Sequence, residues 1–204
     1  VVGFAELFEM EHSPEDEVVF TNEIKESSST LLKLINDILF LSRLDARMIE
    51  FKSKPTDFAS IFETRCQTAV FRSQKPGVNY VYDNPYNSLI VDIDEQNLGI
   101  VIDQVVKRAV ENTTSGQVRC RYDYTGEHLI IAVQDTSNGI SEENLKHIFD
   151  RFTPTNEKST GLGMSICQEL VSQMGGKITV KSVVGEGTIV WISVPCASSK
   201  IDRK

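Results

Sequence analysis

The chain has 204 residues, 40% of them apolar, which suits one ordinary domain or two small ones with a core of their own. Charged residues make up 25% and the formal net charge is −8, which argues against wholesale disorder and against the basic face of a nucleic-acid binder. No stretch approaches the roughly 20 apolar residues that span a bilayer, and no signal peptide opens the chain. Cys66, Cys120, Cys167 and Cys196 lie far apart without metal-ligand spacing. The expectation is an acidic, soluble, cytoplasmic chain whose thiols are reduced and mostly in the core.

Residues 1–8 read as the end of a helix, and residues 9–12 as a connector. Ser13-Pro14-Glu15-Asp16-Glu17 is a helix start: a Ser cap, Pro in the first turn, and acids at the positive end of the dipole. From there Phe20, Ile24, Leu31, Ile35, Ile38 and Leu41 keep three-and-four spacing as far as Ala46, which predicts a long amphipathic helix. Such a hairpin cannot bury its apolar stripe within its own segment. It must pair with a second copy as a four-helix bundle or pack on the following domain.

Near Glu50 the pattern shortens. Residues 51–58 read as extended and 59–73 as helical, with short strands at 78–82 and 88–92 flanking Asp83-Asn84-Pro85. Asp94 caps a helix reaching Glu111. Residues 116–124 and 127–134 form a hairpin in which Val118, Cys120, Tyr122 and Tyr124 alternate with polar residues. A short helix follows Ser141, another covers 163–174, and a last hairpin covers 177–195, turning at Gly185-Glu186-Gly187. The tail after Cys196 is polar and expected to fray. The result is an α/β sandwich: a mixed sheet with helices on one face.

Six of the twelve glycines fall between Gly161 and Gly187. Thr160-Gly161-Leu162-Gly163-Met164-Ser165-Ile166 opens a helix, where small residues, free N–H groups and the dipole suit phosphate. Neither a Walker loop nor a Rossmann fingerprint is present. In order, the chain then offers Asp135-Thr136-Ser137-Asn138-Gly139-Ile140, Ile148-Phe149-Asp150-Arg151-Phe152, the run from Ser159 to Ile166, Met174-Gly175-Gly176 and Gly185-Glu186-Gly187-Thr188. These resemble the first glycine box, the phenylalanine box and the second glycine box of sensor histidine kinases. Residues 31–44 resemble the second helix of their dimerisation domain.

The resemblance implies an α+β protein: a truncated dimerisation hairpin over 1–50, then a Bergerat-type ATP-binding domain over 51–204. It implies ATP as the nucleotide and Mg²⁺ as its metal. The expected activity is phosphorylation of a histidine and onward transfer to the receiver domain of a response regulator. The expected assembly is a homodimer through the N-terminal helices, without nucleic acid and without membrane contact by these residues; anchoring of the parent protein in an inner membrane stays open. Asp135 is expected to accept from the adenine amino group, and Gly139 and Ile140 to bring backbone close to the base. Gly161, Leu162 and Gly163 are expected along the nucleotide, and Thr188 either holds the adenine or only steadies its turn. Phe149 and Phe152 either seat a short polar lid over 153–159 or are plain core.

Two departures accompany the matches. The family's phosphoacceptor histidine precedes an R-x-P-L run on the first helix. Matched to this chain, it falls about three turns upstream of Val1, and His12, at the cap of the next helix, lacks the family's surroundings. In the asparagine box, Gln104-Val105-Val106-Lys107-Arg108-Ala109-Val110-Glu111 places Arg108 where the family has its Mg²⁺ ligand and Glu111 where it has a lysine. Helical spacing puts Gln104, Arg108 and Glu111 on one phosphate-facing side. A guanidinium has no lone pair for a metal. Three readings stay open: Arg108 neutralises the phosphates itself, Arg108 pairs with Glu111 and fills the site, or the register slips and a neighbour such as Asp103 holds the metal. The second reading makes the chain a pseudokinase, a non-catalytic dimeric signalling module. Another Bergerat ATPase, of the chaperone or topoisomerase kind, is disfavoured by the dimerisation helix.

Overall fold

Ser13 starts the first described helix by a reciprocal cap. Its hydroxyl accepts from the Asp16 N–H at 3.2 Å, while the Asp16 carboxylate accepts from the Ser13 N–H at 3.1 Å. The structure, a computed structural model, describes residues 13–71, 73–153 and 160–204. The helix end expected over 1–8, the connector with His12 and most of the expected lid, 154–159, lie outside the described residues.

Helix α1 (Pro14–Asp45) follows the predicted span. Its apolar residues divide in two: Leu41 and Leu44 are buried, whereas Leu31, Leu32, Ile35, Ile38 and Leu39 stay exposed. The chain then runs β1 (Lys54–Asp57), α2 (Phe58–Phe71), β2 (Val78–Asp83), β3 (Tyr86–Ile93) and α3 (Glu95–Asn112). It continues through β4 (Gly116–Tyr124), β5 (His128–Asp135), α4 (Glu142–Lys146), α5 (Gly163–Gln173), β6 (Lys177–Val183), β7 (Gly187–Pro195) and β8 (Ser198–Arg203). No helix among the described residues is long and apolar enough to cross a membrane.

Five strands form a mixed sheet in the order β2-β4-β5-β7-β6, with β2 and β4 parallel and the other pairs antiparallel. In β4 the residues Val118, Cys120, Tyr122 and Tyr124 are buried while Arg119, Arg121 and Asp123 are exposed, as the alternation predicted. Helices α3 and α5 cover the buried face, and α2 packs beside α3.

The expected mixed sheet is present, and a second sheet stands beside it. Strands β1, β3 and β8 make a separate antiparallel sheet. The chain changes sheets at Asn84, whose amide donates to the Ala59 carbonyl at 2.8 Å and whose Oδ1 accepts from the Tyr122 hydroxyl at 2.6 Å. The tail does not fray. It pairs with β3 as β8, satisfying a row of backbone groups that would otherwise lie open at an edge. Arg203 fastens it, donating to Asp123 at 2.7 and 2.9 Å and lying 5.3 Å from the Tyr86 ring centroid.

Phe58, Phe62 and Tyr122 join α2 to the large sheet, their ring centroids 4.6 to 5.6 Å apart. Cys66, Cys120 and Cys167 are buried free thiols in the same continuous core, and Cys196 is half-buried and also free. Phe62 is fully buried, so Phe62→Ala removes a ring and leaves a cavity. It is expected to lower the unfolding free energy by about 3–5 kcal/mol in urea denaturation.

Candidate functional site

The Asp94 carboxylate caps α3 by accepting from the Asn97 N–H at 2.8 Å, which fixes how the helix lies over the sheet. Its C-terminal half stands over the ends of β5 and β7, and between them opens a cavity of about 440 Å³. Val105 and Ala109 of α3, Val133 of β5, Val190 of β7, Ile140 and Ile148 give it apolar walls. Asn112, Asp135, Asn138, Asn144 and Thr188 line the same cavity, so a cleft of this size suits a flat ligand that pairs an apolar face with polar edges.

Asp135, the last residue of β5, is buried in the cavity wall. Its Oδ1 accepts from the backbone N–H of Ser137 at 3.0 Å and of Thr188 at 3.3 Å. Its Oδ2 has no partner among the described residues, yet it is not sealed away, because no fully buried side-chain polar atom is unsatisfied. It is therefore an acceptor open to the cavity. Thr188 faces the same space. The Ser182 hydroxyl donates to the Gly187 carbonyl at 2.9 Å and accepts from the Ile140 N–H at 2.8 Å. It can accept the Thr188 proton as well, at 2.8 Å, leaving Thr188 lone pairs for a ligand.

Gly139 and Ile140 line the cavity as expected. Gly139 has φ +69°, and a Cβ there would stand 2.1 Å from the Val183 carbonyl oxygen. Gly161 has φ +70°, and its Cβ would meet the Thr153 nitrogen at 2.6 Å. Both positions are closed to side chains by dihedral and by space alike.

A smaller cavity of about 50 Å³ adjoins the first and shares Arg108, Ile148 and Thr153 with it. Here the structure brings together Gln104, Arg108 and Glu111 with Gly161 and Gly163. Burial draws the Arg108 pKa below its ordinary value, opposed chiefly by the negative charge of Asp135. The group stays a cation, since a guanidinium does not deprotonate in proteins. Glu111 pairs with Lys107 at 3.5 Å and not with Arg108, so the reading in which those two fill the site loses its ion pair. Asp103 is held by Arg65 at 3.0 and 3.2 Å and lines neither cavity, which removes it as a substitute metal ligand.

Other expected residues lie further off. Leu162 is fully buried in the core, Phe149 packs partly buried against it, and Phe152 is exposed; none lines either cavity. Residues missed from sequence include Asn112, Asn144 and Thr160. Asn144 follows from its own local chemistry, since its N–H donates to Ser141, the cap of α4, at 3.3 Å. Lys33 of α1 also lines the small cavity, and only tertiary packing could reveal it. Helix α1 is docked by Leu41 and Leu44 and by polar contacts flanking residues 152–159. Thr160 donates to Asp37 at 2.8 Å, Arg151 grips Asp45 at 2.6 and 2.8 Å, and Gln173 donates to the Leu44 carbonyl at 2.9 Å. The Arg151 guanidinium holds the Asp45 carboxyl below the usual carboxylate range.

This geometry has known counterparts. The family model described as "Histidine kinase-, DNA gyrase B-, and HSP90-like ATPase" matches residues 93–198. The "His Kinase A (phospho-acceptor) domain" model matches residues 1–47. The chain belongs to the first of these families, and the two matches in series are the transmitter arrangement of sensor histidine kinases. It is 29% identical over its whole length to the sensor protein GacS of Pseudomonas syringae pv. syringae, covering 24% of that protein. Sensor histidine kinase RcsC of Escherichia coli K12 is 27% identical, again over the whole chain, which spans 22% of RcsC. Among solved structures, full-length ShkA in complex with AMPPNP superposes with a TM-score of 0.77 at 26% identity, over 94% of this chain and 41% of ShkA. The chain thus spans about a quarter of the length of these two named sensor proteins.

Gly139→Ala tests the cavity rim. It is expected to cost about 1–3 kcal/mol for a forced left-handed dihedral, with a further loss from the clash. Gly126→Ala, at φ +96° with nothing within 4 Å, supplies the dihedral cost alone. Denaturation of both variants checks the difference.

Proposed function

We propose that this chain is the transmitter portion of a two-component sensor histidine kinase. Residues 51–204 bind ATP, and residues 1–50 belong to the dimerising bundle. The phosphoryl group passes to a histidine on the helix that precedes α1 and then to an aspartate in the receiver domain of a response regulator. The cytoplasm supplies both ATP and regulator, and is where these domains act. The AMPPNP held by ShkA supports the choice of nucleotide. The exposed stripe of Leu31, Leu32, Ile35, Ile38 and Leu39 supports pairing of α1 with a second copy.

The observation that carries the reading is the free Oδ2 of Asp135 among apolar walls. Adenine offers a flat apolar ring with one exocyclic amino donor, and this wall offers one acceptor for it. Val105, Ala109, Val133, Val190 and Ile148 exclude water from the ring, and Gly139 lets the backbone approach it. Gln104, Arg108 and Glu111, with Gly161 and Gly163, then stand toward the phosphates. Transfer of the phosphoryl group depends on positioning and on neutralising charge, and Arg108 is a half-buried cation lining that end.

Asp135→Asn is the direct test. The asparagine oxygen keeps both backbone contacts, while its amide turns a donor toward the adenine amino group. ATP affinity is expected to fall about 10- to 100-fold, the worth of a hydrogen bond to a charged group, with the thermal melt unchanged. Calorimetric titration that shows equal affinity for both proteins would refute the adenine site.

A further inference from the structure

Three cations converge on the small cavity: Lys107 and Arg108 from α3, and Lys33 from α1. Lys107 leans on Glu111. The side chains of Arg108 and Lys33 have no hydrogen-bond or ion-pair partner among the described residues. Lys33 is not there by accident of a loose side chain. Lys33, Asp37, Leu41 and Leu44 share one face of α1 by helical spacing; the two leucines are buried, and Asp37 accepts from Thr160. That docked face brings Lys33 to the cavity that Gly161 and Gly163 also line.

Such a cluster does not fit the divalent ion implied by the family. Against three positive side chains stands one carboxylate, Glu111, already shared with Lys107. Arg108 stands at the position where the family places the amide oxygen that holds the ion, and it offers a positive charge and no lone pair there. Like charges that line one small cavity repel one another, and an anion between them relieves that repulsion.

We propose that Lys33 is a nucleotide-binding residue supplied by α1, and that Lys33, Lys107 and Arg108 together take the nucleotide's polyphosphate in place of a divalent ion. This rests on the nucleotide reading of the larger cavity. Because one of the three cations belongs to α1, polyphosphate binding and docking of α1 strengthen each other by the same factor. AMP, whose single phosphate stays near the sugar, reads the adenine end without the clamp.

The experiment is calorimetric titration of AMP and ATP, each in EDTA and in Mg²⁺, with the parent chain, Lys33→Ala, Arg108→Asn and Asp135→Asn. In EDTA the parent is expected to bind ATP at least about tenfold tighter than AMP, the scale of charge-assisted contacts, and Mg²⁺ to change little. Lys33→Ala is expected to weaken ATP about tenfold and to spare AMP. Arg108→Asn is expected to remove the preference for ATP in EDTA and to make ATP binding depend on Mg²⁺. AMP binding that needs Asp135, with ATP no tighter in EDTA or with ATP unmoved by Lys33→Ala, would overturn the clamp and leave the adenine site standing. Binding of neither nucleotide to a folded parent would overturn both. Alanine favours helix, and matching thermal melts confirm that Lys33→Ala reports on binding and not on folding.

Discussion

The two oxygens of Asp135 have different duties, and much of the site follows from that division. Oδ1 gathers the N–H groups of Ser137 and Thr188, so the turn after β5 and the start of β7 are drawn to one point. Oδ2 remains for a ligand. The carboxylate can hold this position because β5 is a central strand, paired with β4 on one side and β7 on the other. Its neighbours in sequence are therefore fixed before any ligand arrives. A preorganised acceptor of this sort loses little freedom on binding, which is where affinity for a small flat ring is commonly won or lost.

Helix α3 supplies the opposite wall and serves two environments with one periodicity. Leu98, Val101, Ile102, Val105, Val106, Ala109 and Val110 are buried, while Gln104, Lys107, Arg108 and Glu111 turn toward the small cavity. The apolar end and the cationic end of the site are thus adjacent turns of one helix. Arg108 sits at the boundary, lining both cavities. Its charge therefore borders both spaces.

The sequence disclosed most of this through local rules. The end of an apolar strand at Asp135, the glycines at 139 and 161, and the shared face of residues 104, 108 and 111 all follow from spacing and from what glycine permits. What stayed hidden depended on partners distant along the chain. Strands β2 and β3 flank the turn-like Asp83-Asn84-Pro85, yet they lie in different sheets, and the Asn84 side chain between them bonds to α2 and β4. The stretch Ser198–Arg203 carries little apolar signal, and it becomes a strand because β3 offers an edge and Asp123 a counter-charge. The choice of Lys107 by Glu111 was a matter of one residue: both cations lie within helical reach, and the four-residue spacing won. Lys33 had no local mark at all.

Helix α1 is docked on the following domain near its C-terminal end. Leu41, Leu44, Asp37 and Asp45 bind it to the rest of the molecule, and the arm from Pro14 to Leu32 extends about 28 Å past Lys33. Its docked end lies beside the small cavity that Lys33, Lys107 and Arg108 line. A tilt of about 10° moves the far tip by about 5 Å relative to Lys33. By the same geometry a coarse displacement of the tip corresponds to a fine one where Lys33 meets the cavity, so the length of the helix sets the ratio between the two.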